Sequence, residues 1–174
     1  MPRVILKLGD DVSTDVIYPG RYMATVLPSE TLAHAFADHP AFRAALNAGA
    51  VPPGSVIAAG RNFGCGSSRE QAASCLKGHE LVVVARSFAR IFLQNAINLG
   101  LKVVLAPSFE ANEGDEVVLE DGLVLDLTSN RAFEMDPLPK ARQVIIDAGG
   151  LVPYTRARLV AASHQTRTRS FGAR

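Results

Sequence analysis

Short, uninterrupted apolar runs alternate with segments of helical period through the first two thirds of the chain. Val56-Ile57-Ala58-Ala59, Leu81-Val82-Val83-Val84-Ala85 and Val103-Val104-Leu105 have no polar interruption, the pattern of strands covered on both faces. Val4 to Leu8 alternates around Lys7 and reads as a further strand, closed by Gly9-Asp10-Asp11. Between the apolar runs, the sequence predicts a helix from Ser68 to about Lys77 with Gly78 just past its end. A second is predicted from Phe88 to Leu99, where Phe88, Ile91, Phe92, Ala96 and Leu99 fall on one face before Gly100. Strand–helix–strand–helix–strand is the order of an α/β core.

Either side of this core the pattern is looser. Val16 to Val26, broken by Pro19-Gly20, reads as a long loop. Ser29 is placed to cap a helix from Glu30 to about Phe36, and Ala41 to Ala48 reads as helix stopped by Gly49. After Pro107 the period changes to two. Val117-Val118-Leu119 and Leu123 to Leu127 flank Asp121-Gly122, a hairpin signal, and Asn130 to Met135 adds a strand. Pro139 to Ala148 returns to helical period and ends at Gly149-Gly150. Arg156, Arg158, Arg167, Arg169 and Arg174 then follow with no acid among them.

Composition narrows the classes. The chain has 174 residues, 48% of them hydrophobic and 20% charged, with a formal net charge of +1. That suits one compact folded unit and excludes both a largely disordered chain and a global field for nucleic acid or anionic lipid. No apolar run approaches the length of a membrane span, and the first residues lack a signal-peptide pattern, so a cytoplasmic protein is expected. Cys65 and Cys75 are the two cysteines. Their number is too small for a disulfide scaffold and their spacing fits no zinc or iron–sulfur ligand pattern.

The chemistry concentrates in Asn62-Phe63-Gly64-Cys65-Gly66-Ser67-Ser68-Arg69-Glu70. The glycines permit positive φ and close approach of a ligand. The helix start that follows offers free N–H groups and a partial positive charge, and Arg69 offers a planar fork of donors. This is an anion site, open to phosphate or carboxylate. It lacks the lysine of a P-loop and the spacing of a dinucleotide fingerprint. Ser67-Ser68-Arg69-Glu70 is also a Ser-x-x-Glu capping box, which needs no ligand; one serine can cap while the other faces the anion. A serine acts as a base only where donors and a cation stabilise its alkoxide, and the loop supplies both. His34, His39, His79 and His164 read as surface or structural residues.

The loop, together with Ser87-Phe88-Ala89-Arg90-Ile91-Phe92 and Asn95-Ala96-Ile97-Asn98-Leu99-Gly100-Leu101, resembles the small subunit of 3-isopropylmalate dehydratase, the swivel domain of the aconitase superfamily. Asp11-Val12-Ser13-Thr14-Asp15, Pro19-Gly20-Arg21-Tyr22 and Gly149-Gly150-Leu151-Val152 are similar to its two ends. The resemblance implies an α/β fold of the swivelling β/β/α type over residues 1–160, followed by a basic, flexible tail over 161–174. It implies a hydro-lyase active only with a large subunit, which carries a 4Fe-4S cluster whose iron acts as a Lewis acid. It assigns no metal to this chain. By similarity, Ser67 is the base that takes a proton from carbon, Asp15 belongs to the acid network, and Gly66, Ser68 and Arg69 bind a substrate carboxylate. Gln71 departs from the family, which carries His there, and Cys65 is expected to pack rather than to bind metal.

In the resembled family, the loop after Pro-Gly-Arg-Tyr separates substrates: Arg meets an extra carboxylate, an apolar residue meets isopropyl. Here it reads Tyr22-Met23-Ala24-Thr25, with Ala24 at the discriminating place and Thr25 beside it. With no cation, isopropylmalate or a smaller methyl- or dimethyl-substituted malate is expected ahead of a homoaconitate-type acid. The expected partners are the large subunit and a small hydroxy di-acid, with no membrane. Self-association of the isolated chain is expected through the face left uncovered. The competing class is a binding module without chemistry, holding a small anion or, through its arginine tail, RNA.

Overall fold

The computed structural model describes residues 1–25 and 27–171, with side chains described to residue 163. Its centre is a four-stranded parallel sheet in the order β1-β2-β3-β4, formed by Val4–Lys7, Val56–Ala59, Val82–Ala85 and Lys102–Leu105. Helices α1 (Thr14–Ile17), α2 (Pro28–Thr31) and α3 (Pro40–Asn47) lie between β1 and β2. Helix α4 (Glu70–Gly78) connects β2 to β3 and α5 (Arg90–Leu99) connects β3 to β4. The three predicted apolar runs are these central strands, β2 and β3 buried along their whole length.

Alternation along the sheet separates two cores. Ile57, Ala59, Val83, Ala85 and Val103 pack against Ala72, Cys75 and Leu76 of α4 and Phe92, Ala96 and Ile97 of α5. Val56, Ala58, Val82 and Val84 turn the other way and meet Phe109, Val117, Val124 and Phe133. The second group comes from an antiparallel sheet, β5 (Val117–Glu120), β6 (Leu123–Asp126) and β7 (Arg131–Glu134). Helices, parallel sheet and antiparallel sheet therefore form three layers, the expected β/β/α arrangement. The β1–β2 register shifts between Val4 and Leu6, so these residues two apart fall in opposite cores, which period-two alternation would place on one face.

Hairpin and stops follow the sequence closely. Asp121 and Gly122 both have positive φ (49° and 78°), as a two-residue type I′ turn requires. Gly100 ends α5 in the left-handed region at φ 74°. Three expectations need correction. Part of the long loop is helical: Ser13 accepts from the Asp15 N–H and starts α1, and a 3-10 turn covers Gly20–Tyr22. Val26 at its end lies outside the described residues. Ser29 does not cap; Pro28 opens α2 behind Leu27, and a 3-10 turn, Leu32–His34, replaces the rest of that helix. Gly78 is the last residue of α4, not the one beyond it.

After α6 (Lys140–Asp147), helix α7 runs over Leu151–Phe171. Residues 172–174, and the side chains of His164 and of the arginines beyond it, lie outside the described residues. No helix among the described residues is long and apolar enough to cross a membrane.

Candidate active site

The loops leaving the C-terminal ends of β1, β2 and β3 meet on one edge, where open α/β sheets bind ligands. The first joins the second by a run of backbone bonds. Asp11 N–H donates to the Arg61 carbonyl (2.8 Å), Gly64 N–H to that of Val12 (2.8 Å) and Thr14 N–H to that of Cys65 (2.8 Å). The second joins the third through Phe63 N–H to the Ser87 carbonyl (3.0 Å) and Ala89 N–H to that of Phe63 (2.9 Å). Underneath, the Phe63 ring meets Phe92 edge-on at 5.2 Å, and Phe88 stacks on Phe92 at 6.3 Å. Gly64 is demanded by this packing. Its φ is +80° and a Cβ there would lie 2.2 Å from Cγ of Phe92.

Above that anchorage the tip of the loop is bare. Gly66 takes φ +91° and is exposed, as are Ser67 and Ser68. The Ser67 carbonyl accepts from Thr14 Oγ1 (3.0 Å) and from the Arg69 N–H (2.8 Å), so the backbone at the serine is held from two sides. Among the described residues, the hydroxyls of Ser67 and Ser68 make no hydrogen bond, and the N–H groups of Gly66, Ser67 and Ser68 donate to no acceptor. The capping box is not formed. Arg69 occupies the N-cap of α4 and no side chain caps that helix, because the turn at Gly66 and the pinned Ser67 carbonyl delay its start to Glu70. Both serines are thus left to the solvent face.

Arg69 is mostly buried, its side chain 14% exposed, and pairs through Nη1 with Oδ1 of Asp15. The same nitrogen faces the Tyr18 carbonyl at 3.3 Å, while Nε and Nη2 make no hydrogen bond. Arg69 bonded to Asp15 holds that carboxyl below its usual range, so Asp15 is a carboxylate at neutral pH and accepts rather than donates. Gly20 N–H also points to Asp15 Oδ1 (3.3 Å), and a Cβ on Gly20 would crowd Nη2 of Arg69 at 3.1 Å. Asp15, Arg69 and the serine loop are therefore brought together, from β1–α1 on one side and β2–α4 on the other.

Ala24 and Thr25 sit on the turn beyond Gly20–Tyr22. Ala24 is exposed; the half-buried Thr25 donates its N–H to Tyr22 (3.0 Å) and faces the Tyr18 phenol. Neither bonds to the Asp15–Arg69 pair. The turn is held by rings that the sequence did not single out. Tyr22 stacks on His34 at 4.0 Å and 10°, Arg21 lies over Tyr22 at 4.8 Å and pairs with Asp38, and buried Tyr18 donates to the Tyr22 carbonyl at 3.2 Å. His34 is structural, as expected, and its Nδ1 is buried without a partner. Gln71 is half-buried in the first turn of α4 and its side chain makes no hydrogen bond, so nothing in the structure explains its presence in place of His.

The thiols do not suit an iron–sulfur cluster. Cys75 is fully buried in the helix-side core, where desolvation pushes it up to about 12, and Cys65 Sγ points at the Asp11 carbonyl at 3.2 Å. Among the described residues, no group of three His, Cys, Asp or Glu could hold a metal ion.

Comparison with known proteins agrees with this architecture. Residues 52–105, from β2 through β4, match the aconitase C-terminal domain. A solved 3-isopropylmalate dehydratase structure from Methanocaldococcus jannaschii superposes with a TM-score of 0.83 at 39% identity, covering 94% of this chain and 97% of that one. The 3-isopropylmalate dehydratase small subunit of Thermodesulfovibrio yellowstonii is 42% identical over 89% of this chain and 93% of its own length. The 2,3-dimethylmalate dehydratase small subunit of Eubacterium barkeri is also 42% identical, over 88% and 94%. The fold is that of an aconitase-type swivel domain. The chain belongs to the 3-isopropylmalate dehydratase small-subunit family, whose members are parts of hydro-lyases.

Proposed function

We propose that this chain is the small subunit of an enzyme that interconverts 2- and 3-isopropylmalate in leucine biosynthesis, and that Ser67 is its proton acceptor. The supporting observation is the serine loop: a free hydroxyl, three unpaired N–H groups at Gly66, Ser67 and Ser68, and a guanidinium one residue on, all on a rigid backbone. The carboxylate of a hydroxy di-acid takes the N–H groups of Gly66 and Ser68 and the free Nη2 of Arg69. Asp15 holds Arg69 from the other side, fixing the fork's orientation. Ser67 Oγ, stabilised as an alkoxide by the same donors, removes a proton from carbon. Hydroxide leaves the adjacent carbon, giving the alkene. Hydroxide then adds to the other carbon of the alkene while Ser67 Oγ returns its proton to the first, so nothing is consumed.

The site is an open edge, and a large subunit is proposed to close it. The iron–sulfur cluster of this superfamily is assigned to that subunit, since this chain's cysteines form no ligand set for it. A cytoplasmic setting is supported by the two free thiols.

A second substrate reading rests on Ala24. Its methyl is exposed and small, and each methylene left uncovered forgoes about 0.8 kcal/mol. Overall identity does not choose, because the isopropylmalate and dimethylmalate relatives above are equally similar. The test is turnover of a substrate panel by the chain reconstituted with its large subunit, without oxygen. Isopropylmalate as the best substrate supports the first reading, and a preference for dimethylmalate supports the second. Normal turnover by Ser67→Ala removes the serine from the mechanism.

A further inference from the structure

Charge is segregated along the C-terminal half in a way that neither the fold nor the reaction requires. Residues 108–136 hold nine acids against one base, Arg131, and residues 137–174 hold seven bases against one acid, Asp147. The basic part includes α7. This helix of 21 residues is about 31 Å long at 1.5 Å per residue. Its start is pinned where Gly149-Gly150 crosses Gly100: a Cβ on Gly100 would lie 2.3 Å from the Gly149 carbonyl carbon. From there to residue 163 its residues are exposed, except the half-buried Tyr154. Val152 and Leu159 are 69% and 67% exposed, and Leu151, Thr155 and Val160 continue the same side. Arg156 and Arg158 border this stripe. The exposed apolar residues lie in the first ten positions of the helix, and that stripe needs a surface to cover it.

The chain itself carries a surface of matching character. A groove of about 310 Å³ runs between the outer edge of β4, the β5–β6 hairpin and α6. Leu119, Met135 and Ile146 line it, and Glu120, Asp121 and Asp147 edge it against one base, Lys102. Among the described residues, the carboxylates of Glu120 and Asp121 have no partner and no residue of α7 lines the groove. An apolar stripe with basic borders thus faces an apolar trough with acidic borders. We infer that α7 of one copy docks in the groove of a second copy, giving a homodimer in which the two helices are exchanged. Each chain carries both surfaces, so one two-fold operation satisfies both and the assembly closes. The acidic rim selects this helix over other apolar segments.

The experiment is sedimentation of the full chain and of full-length variants. The full chain sediments at twice its monomer mass, and Leu159→Asp at the monomer mass with an unchanged circular dichroism spectrum. Glu120→Lys/Asp121→Lys is monomeric, as is Arg156→Glu/Arg158→Glu. A mixture of these two re-forms a dimer, because each altered helix then faces an oppositely charged groove. A monomeric full chain, a dimer that survives Leu159→Asp, or a mixture that stays monomeric overturns the inference. So does a Leu159→Asp chain that remains dimeric and loses only its binding to the large subunit, which would make α7 a docking element for that subunit.

Discussion

The serine loop and helix α7 follow opposite designs. Residues 60–69 have almost no regular structure, yet backbone bonds and a three-ring cluster tie them to both neighbouring loops, and only their polar tip is free. Helix α7 is regular over six turns, and its root packs against the domain where Gly149-Gly150 crosses Gly100. Rigidity in this protein comes from how backbone polar groups are shared between segments, not from the regularity of a segment. A site that must hold a carboxylate and a hydroxyl in register needs the first design. A surface that waits for a partner suits the second.

That contrast can be broken at several points. The largest effect is expected from Ser67→Ala in the reconstituted enzyme. Turnover should fall about a thousandfold or more, with melting temperature and subunit association unchanged, because the hydroxyl makes no hydrogen bond among the described residues. Arg69→Lys keeps the charge and loses the fork. It should raise KM about thirtyfold, equivalent to about 2 kcal/mol, with a smaller change in kcat. Gly64→Ala attacks the anchorage instead. A positive φ and a collision with Phe92 should cost about 3 kcal/mol, read by chemical denaturation, and Phe92→Leu in the same chain should recover part of it.

The smallest effect concerns Asp15. Its folded carboxyl sits below the unfolded value, so the pairing with Arg69 stabilises the protein above the unfolded value and is lost as pH falls through the folded one. Asp15→Asn should therefore flatten the acid limb of the stability profile and leave it unchanged at more acidic pH, where both forms are uncharged. An acid limb as steep as that of the natural protein would remove the pair from this account. Asp15 is exposed, so solvent screening keeps the change modest.

Much of this was legible in the chain, for local reasons. The runs at Val56–Ala59 and Val82–Ala85 announce doubly covered strands, Asp121-Gly122 admits few turns other than the one found, and Gly100 is a residue that can end α5 with positive φ. The cluster Gly64–Arg69 gave the site its place. Its local chemistry misled in one respect: Ser-x-x-Glu looks like a cap, and only the hold of Thr14 on the Ser67 carbonyl delays the helix and frees both hydroxyls. The Tyr22–His34 stack was equally hidden, since twelve positions and a change of direction separate its rings. Helix α7 is not marked by a helical period, because its large apolar residues cluster at 151–160 and its charges are all of one sign.

The sequence by itself determined which segments are strands and helices, where the anion-binding donors lie and which family shares them. Those properties depend on period, composition and left-handed turns, all set within a few residues. The tertiary structure alone decided that Asp15 grips Arg69, that the serines face solvent instead of capping α4, and that the first turns of the basic helix expose Val152 and Leu159. Each of these depends on which distant backbone group reaches an atom first, and neither spacing nor composition records that.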